Sequence, residues 1–181
     1  MTSSPAPTVR IEPWSESDLD LLRRANAPEM MEHLGGPETE EQLLARHRRY
    51  LTVKEPGEGQ MFRVVLLPDD VAVGTIGYWE KVWLDGTVYE TGWSVLPGYQ
   101  RRGIAVAATL AAMTHARSAG RHRYVHAFPS IQHRASNAVC RRAGFTLVGE
   151  LDFEYPPGNV LRSNDWRFDL ADPTHALLPP E

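Results

Sequence analysis

The sequence predicts a single α/β domain: a mixed, mostly antiparallel sheet with helices on both faces. Three observations predict it. The chain has 181 residues, 42% of them hydrophobic and 23% charged, which suits one soluble globular core. Its hydrophobic spacing changes from helical to alternating near residue 60, and back to helical near residue 104. Helical segments placed between strand patterns predict parallel pairing, whereas short turn signals predict antiparallel hairpins.

Each element has its own local reason. Val9-Arg10-Ile11 begins a short strand. Ser15 or Ser17 can cap a helix over Asp18–Ala27 whose buried side is Leu19, Leu21 and Leu22. Pro28 and the Gly35-Gly36-Pro37 cluster break the chain. Thr39 with Gln42 forms a capping-box pattern that opens a second helix carrying Leu43, Leu44, His47 and Leu51. Lys54–Gly59 is a loop. Met61–Leu67 and Val71–Trp83 read as strands, with Gly74 and Gly77 marking bends. Asp85-Gly86 signals a hairpin into a strand over Val88–Val95. A helix over Ile104–Ala119 closes at Gly120. Tyr124–Phe128 is a strand, and a helix over Arg134–Ala143 stops at Gly144. Thr146–Tyr155 and Val160–Leu170 form a last strand pair joined through Pro156-Pro157-Gly158-Asn159. The order is β-α-α-β-β-β-α-β-α-β-β. The domain is expected over residues 9–170, between flexible tails at 1–8 and 171–181.

Composition narrows the function. A net charge of −4 and a pI near 6.0 argue against general nucleic-acid or membrane binding. The charge is uneven: Gln100 to Arg142 holds eight arginines and no Asp, Glu or Lys. That run reads either as a solvated face or as a basic rim for a phosphorylated cofactor. Cys140, the one cysteine, excludes an internal disulfide and fits a reducing cytoplasm. The Ser/Pro-rich start has no apolar core for a signal peptide, and the longest apolar stretch, Ile104–Met113, is too short to span a bilayer. The expected protein is cytoplasmic, a monomer or homodimer, with no nucleic-acid or membrane partner.

The most informative stretch is Val95-Leu96-Pro97-Gly98-Tyr99-Gln100-Arg101-Arg102-Gly103-Ile104-Ala105. It joins a strand to a helix through a loop with two glycines and no acid. Such a helix start leaves backbone N–H groups unpaired at the positive end of the dipole, which suits a phosphate or pyrophosphate. The spacing is neither the dinucleotide fingerprint nor the P-loop.

It reads Gln-x-x-Gly-x-Ala, which resembles the coenzyme A pyrophosphate loop of the GNAT superfamily of N-acyltransferases. A second stretch, Ala135-Ser136-Asn137-Ala138-Val139-Cys140-Arg141-Arg142-Ala143-Gly144-Phe145, followed by Glu154-Tyr155, resembles the branch containing the bacterial ribosomal-protein N-terminal acetyltransferases. The resemblance covers Val9 to about Leu170. It implies a GNAT-like fold in which the fourth and fifth strands splay apart and acetyl-CoA lies in the gap as co-substrate, with no metal. It places backbone groups near Val95 against the pantetheine and thioester, and the N–H groups of Gln100, Arg101, Arg102, Gly103, Ile104 and Ala105 on the pyrophosphate. Where many relatives carry Asn on the pantetheine arm, this chain has His133.

The implied reaction is transfer of an acetyl group from acetyl-CoA to a primary amine by direct attack. The amine belongs to a protein N-terminus, a small molecule or an antibiotic. A base must free the amine, and an acid must meet the leaving thiolate. Many relatives carry an acid near the position of Glu90, five residues before Val95, that removes the amine proton, often through water. The ribosomal branch instead pairs Glu154 as base with Ser136 as acid. The usual Tyr acid falls on Cys140, leaving Ser136, Tyr155 or water. Cys140 itself reads as a small buried hydrophobe rather than a nucleophile. His122 and His126 show no carboxylate nearby in sequence, so no metal site is expected. Trp79, Trp83 and Trp93 read as sheet packing, with Trp83 best placed to line an acceptor groove. Glu29, Glu32, Glu38, Glu40 and Glu41, in the first two helices, weakly favour a cationic acceptor. The alternatives are a non-catalytic acyl-CoA-binding regulatory module and, last, an RNA-binding protein using the arginine run.

Overall fold

The computed structural model describes residues 6–52 and 57–175. Parts of both expected tails (1–5 and 176–181) and residues 54–56 of the expected 54–59 loop lie outside the described residues. The strands are β1 (Val9–Pro13), β2 (Gly59–Leu66), β3 (Val71–Trp83), β4 (Gly86–Val95), β5 (Tyr124–Ala127), β6 (Thr146–Glu154) and β7 (Val160–Asp169). The helices are α1 (Leu19–Ala25), α2 (Pro28–Met31), α3 (Glu40–Leu51), α4 (Ile104–Ala119) and α5 (Arg134–Arg142). The strands form one sheet in the order β1-β2-β3-β4-β5-β7-β6. Among the described residues only the β4–β5 pair is parallel.

Two cores lie on opposite faces of the sheet. The larger joins Val64, Ile76, Tyr78, Tyr89 and Val125 to Ile104, Ala108, Ala112, Met113 and Ala116 of α4. Their spacing of three and four places one stripe of α4 on the strands, and its small residues let the helix sit close. The smaller gathers Trp14, Leu21, Leu22, Ala25, Leu43, Met61 and Leu96 beneath α1 and α3. Alternation explains the division: neighbouring strand residues point to opposite faces.

Several boundaries differ for local reasons. The first helix opens with a 3₁₀ turn at Glu16–Asp18, where the Ser15 N–H donates to Asp18 Oδ2 at 2.7 Å. Pro28 does not simply break the chain. It begins the short α2, because a helix's first residue needs no N–H. Thr39 and Gln42 form the expected reciprocal cap, at 2.9 and 3.3 Å. The β3–β4 hairpin turns on Leu84-Asp85, not Asp85-Gly86: Trp83 pairs with Gly86, and Leu84 takes φ 51°. Gly74 and Gly77 stay within β3 because neighbours fill their side-chain space; a Cβ at Gly74 would lie 2.2 Å from Ser94 O. Residues 171–175 are no loose tail. Ala171 N–H bonds Asp169, His175 Nε2 lies 3.0 Å from Gly144 O, and its ring packs 4.2 Å from Phe168.

Candidate active site

The parallel β4–β5 ladder has two registered pairs, Tyr89 with Val125 and Glu90 with His126. Beyond Glu90, β4 continues five residues to Val95 with β3 as its only registered neighbour. β5 ends at Ala127, before Pro129. The strands therefore separate into a V whose crotch is the Glu90–His126 pair. One arm runs directly into the loop before α4.

That loop leaves a run of backbone N–H groups free at the start of α4. Arg101 has φ 58°, and Gly103, the residue before α4, has φ 79°. Among the described residues, the N–H groups of Arg101, Arg102, Gly103, Ile104, Ala105 and Val106 have no hydrogen-bond partner. They gather at the positive end of a 16-residue helix. Gln100 differs from the sequence expectation. Its N–H is held by Pro97 O at 3.3 Å, and its side-chain Nε2 by Val95 O at 2.9 Å, so the free donors begin at Arg101. Ile104 anchors the loop in the core, and Pro7 packs over Gly103. The arginine run is mostly spent elsewhere: Arg117 on Leu170 O, Arg123 on Asp169, Arg141 over Trp166. Arg101 and Arg102 alone belong to this loop.

Glu90 faces away from the main core, its side chain 15% exposed and its Oε2 3.1 Å from Lys81 Nζ. Burial pushes its carboxyl above the ordinary range; Lys81, Trp79 and His126 pull the other way. Lys81 Nζ lies 4.6, 5.6 and 6.0 Å from the ring centres of Phe153, Phe128 and Trp83, a cation–π cluster. Trp79 lies across Gly92, whose missing Cβ leaves room for the ring, while Trp93 packs against the main core. The Trp83 indole N–H is buried without a hydrogen-bond partner among the described residues.

The two histidines expected to lack carboxylates both have one. His122 Nε2 is 2.6 Å from Glu80 Oε1, and His126 Nδ1 is 2.6 Å from Asp165 Oδ1. Sequence distance hid both pairs. For His126 the one signal was a polar residue within the short apolar strand β5; His122 lies before that strand and gave none. Among the described residues no cluster of three or more metal-ligating side chains occurs.

Ser136 and Glu154 make separate contacts. Ser136 Oγ lies 3.4 Å from His133 Nε2 on α5. The His133 ring stacks on His33 at 4.3 Å, and burial, followed by His33, pushes its pKa down to about 4. Glu154 Oε1 accepts the Gly158 N–H at 2.6 Å, tying the β6–β7 turn. Cys140 is fully buried, and its thiol is pushed up to about 12 by burial. Asn137, overlooked in the sequence, fixes the α5 start: it donates to Ser130 O and His133 O and accepts from Asn164 and Trp166.

A pocket of about 200 Å³ lies between the α2–α3 connection and the β6–β7 turn, lined by Met31, Gly35, Glu38, Gln42, Tyr155 and Pro156. The acids on and beside it are not all available. Glu38 Oε2 lies 2.6 Å from Arg46 Nη2, a contact outside hydrogen-bond geometry. Glu40 pairs with Arg23 at 2.6 Å. The acidic tint expected of these helices is therefore partly neutralised.

Comparison with known proteins gives a family and a fold. The family model of the acetyltransferase (GNAT) domain matches residues 8–146. No curated protein matches in sequence. Among solved structures, a GNAT-family acetyltransferase from Bacillus anthracis is 19% identical with a TM-score of 0.74, covering 93% of this chain and 98% of its own. The Salmonella typhimurium acetyltransferase that modifies the N-terminal serine of ribosomal protein L7/L12 is 20% identical with a TM-score of 0.73, covering 90% and 95%. Spermidine N-acetyltransferase from Vibrio cholerae, solved with CoA and spermine, is 12% identical with a TM-score of 0.71, covering 90% and 96%. These identities establish a shared architecture. No described helix is long and apolar enough to cross a membrane.

Proposed function

The chain belongs to the GNAT acetyltransferase family, and on that premise we propose that it transfers an acetyl group from acetyl-CoA to a primary amine. The observation that carries this reading is the V itself. Its crotch holds a partly buried carboxylate, and its β4 arm leads into a row of N–H groups without partners among the described residues. In this reading Arg101 through Ala105 hold the pyrophosphate, and the β4 segment ending at Val95 guides the pantetheine toward Glu90. Gln100 braces Val95, and His133 borders the arm from α5.

Glu90 takes one proton from the acceptor ammonium. The free nitrogen then attacks the thioester carbon, and the carbon–sulfur bond breaks as the tetrahedral adduct collapses. Ser136 or water gives a proton to the thiolate, and the second proton lost by the nitrogen restores that donor. Positioning supplies much of the rate. A partly buried carboxylate with raised proton affinity suits the base role near neutral pH. Direct attack is favoured over an acetyl-cysteine because the Cys140 thiol is deeply buried and protonated. Glu154 is the second candidate for the base, although its carboxylate is engaged by its own turn.

The named relatives act on a polyamine and on a protein N-terminal serine, so both amine classes belong in the test. An acceptor panel of spermidine, serine-initiated peptides and aminoglycosides, with acetyl-CoA, should release thiol above the hydrolysis rate for at least one compound. Tight acetyl-CoA binding with no transfer to any would replace the enzyme by the acyl-CoA-binding regulatory module.

A further inference from the structure

We propose that His126, held by Asp165, is a positioning residue that sets the proton affinity of Glu90 and provides the proton's second station. The inference rests on reading Glu90 as the base. It begins with placement. Glu90 and His126 face each other across the last β4–β5 pair before the V opens, so their side chains share one face of the sheet.

His126 is built like an oriented base rather than a packing residue. Both it and Asp165 are 5% exposed. Nδ1 lies 2.6 Å from Asp165 Oδ1, and a carboxylate there accepts the Nδ1 proton. Nε2 is then left with its lone pair, and among the described residues it has no hydrogen-bond partner. The ring is walled by Phe128 at 5.8 Å and Trp83 at 6.3 Å. This is the logic of a base held in one tautomer by a third group.

The charged surroundings are few. On β4 the neighbour is Glu90, and on β3 it is Lys81, already paired with Glu90. On β7 they are Asp165 and Arg167; the latter stands opposite His126 in register but turns onto Tyr124. Within β5, Tyr124 shares the face. On β6, Phe153 closes the Lys81 side without charge.

The step balances simply. Glu90 accepts one proton from the acceptor ammonium and passes it to His126 Nε2. The imidazolium formed is neutralised by Asp165, and Glu90 returns as a carboxylate. The proton then leaves to solvent, which accounts for the one proton that acetylation of an ammonium releases overall. A charged His126 also favours the Glu90 carboxylate, which is how the ring acts on the base from across the β4–β5 pair.

The test needs no acceptor. Nitrogen-detected NMR of the histidine rings in the full-length protein should show His126 with its proton on Nδ1 when neutral. Carboxyl-carbon NMR, with the Glu90 signal assigned by Glu90→Gln, should show its midpoint rise by at least about half a pH unit in His126→Gln. Asp165→Asn should redistribute the ring proton and move the Glu90 midpoint as well. An Nε2-protonated ring in the unmutated protein would overturn the proposal without any variant. So would an unmoved Glu90 midpoint in a folded His126→Gln. Because neither readout involves turnover, a Glu90→Gln protein that still acetylates would reject Glu90 as base while leaving this coupling measurable.

Discussion

Burial lifts the proton affinity of Glu90, while Lys81 at 3.1 Å opposes it. The sign of the pH effect follows. A base works as the carboxylate, so activity falls as pH drops through its pKa. Because burial raises that pKa, the acid limb of kcat/KM should lie above the ordinary glutamate range, and Glu90→Gln should abolish it. That variant should lose about 10²–10⁴-fold in kcat while binding acetyl-CoA normally; near-normal turnover would remove Glu90 from the mechanism. Cys140→Ala tests the direct route. It should cost about 1 kcal/mol of stability by opening a small void and keep most of the activity, with no acetyl adduct visible by intact mass. At this scale the sequence was uneven. The place of Glu90 on β4 was legible because its distance from Val95 is fixed along one strand. His126 and Asp165 were not, because they lie 39 residues apart and pairing between strands is invisible to local spacing.

Caps and loops were the most legible elements, since their rules are local. Thr39 and Gln42 cap α3 as written, and α4 runs from Ile104 to a left-handed Gly120. The β3–β4 turn shifted by one residue because strand register is set by the whole ladder, which placed Gly86 in β4. Two glycines make testable joints. Gly103 has φ 79° and Pro7 above it, so Gly103→Asp adds strain, a clash and a negative charge to the N–H cradle. Calorimetry should show acetyl-CoA affinity severely reduced in the folded variant; unchanged affinity would sink the cradle. Gly74 faces β4 where it reaches Val95, and an added Cβ would meet Ser94 O at 2.2 Å. Gly74→Ala should therefore cost about 1–3 kcal/mol in urea unfolding and weaken acetyl-CoA binding, because the backbone that must move is the β4 arm of the V.

Across the whole molecule, the sequence carried the element order and the mixed sheet, since periodicity reports which face each segment buries. It could not carry the width of the V through periodicity, because where two parallel strands part depends on contacts distant in the chain. Burial also predicts a gradient of local stability. Tyr78, Tyr89 and Ala112 are almost wholly buried, whereas most of β6 is exposed. Amide exchange should be slowest in β3, β4 and α4 and fastest among the strands in β6; uniform protection would contradict that gradient. The parting of β4 and β5 also changes the count of edges. A flat seven-stranded sheet has two, and this one gains two more inside the V. Its outer edges carry Arg10 and Glu12 on β1 and Glu150 and Asp152 on β6, charges that discourage another sheet from docking. The inner edges have no such guard and are protected by width alone. The fold is thus a sieve by cross-section: a thin, extended chain can reach bare backbone that a folded partner's strand, with its own neighbours attached, can never approach.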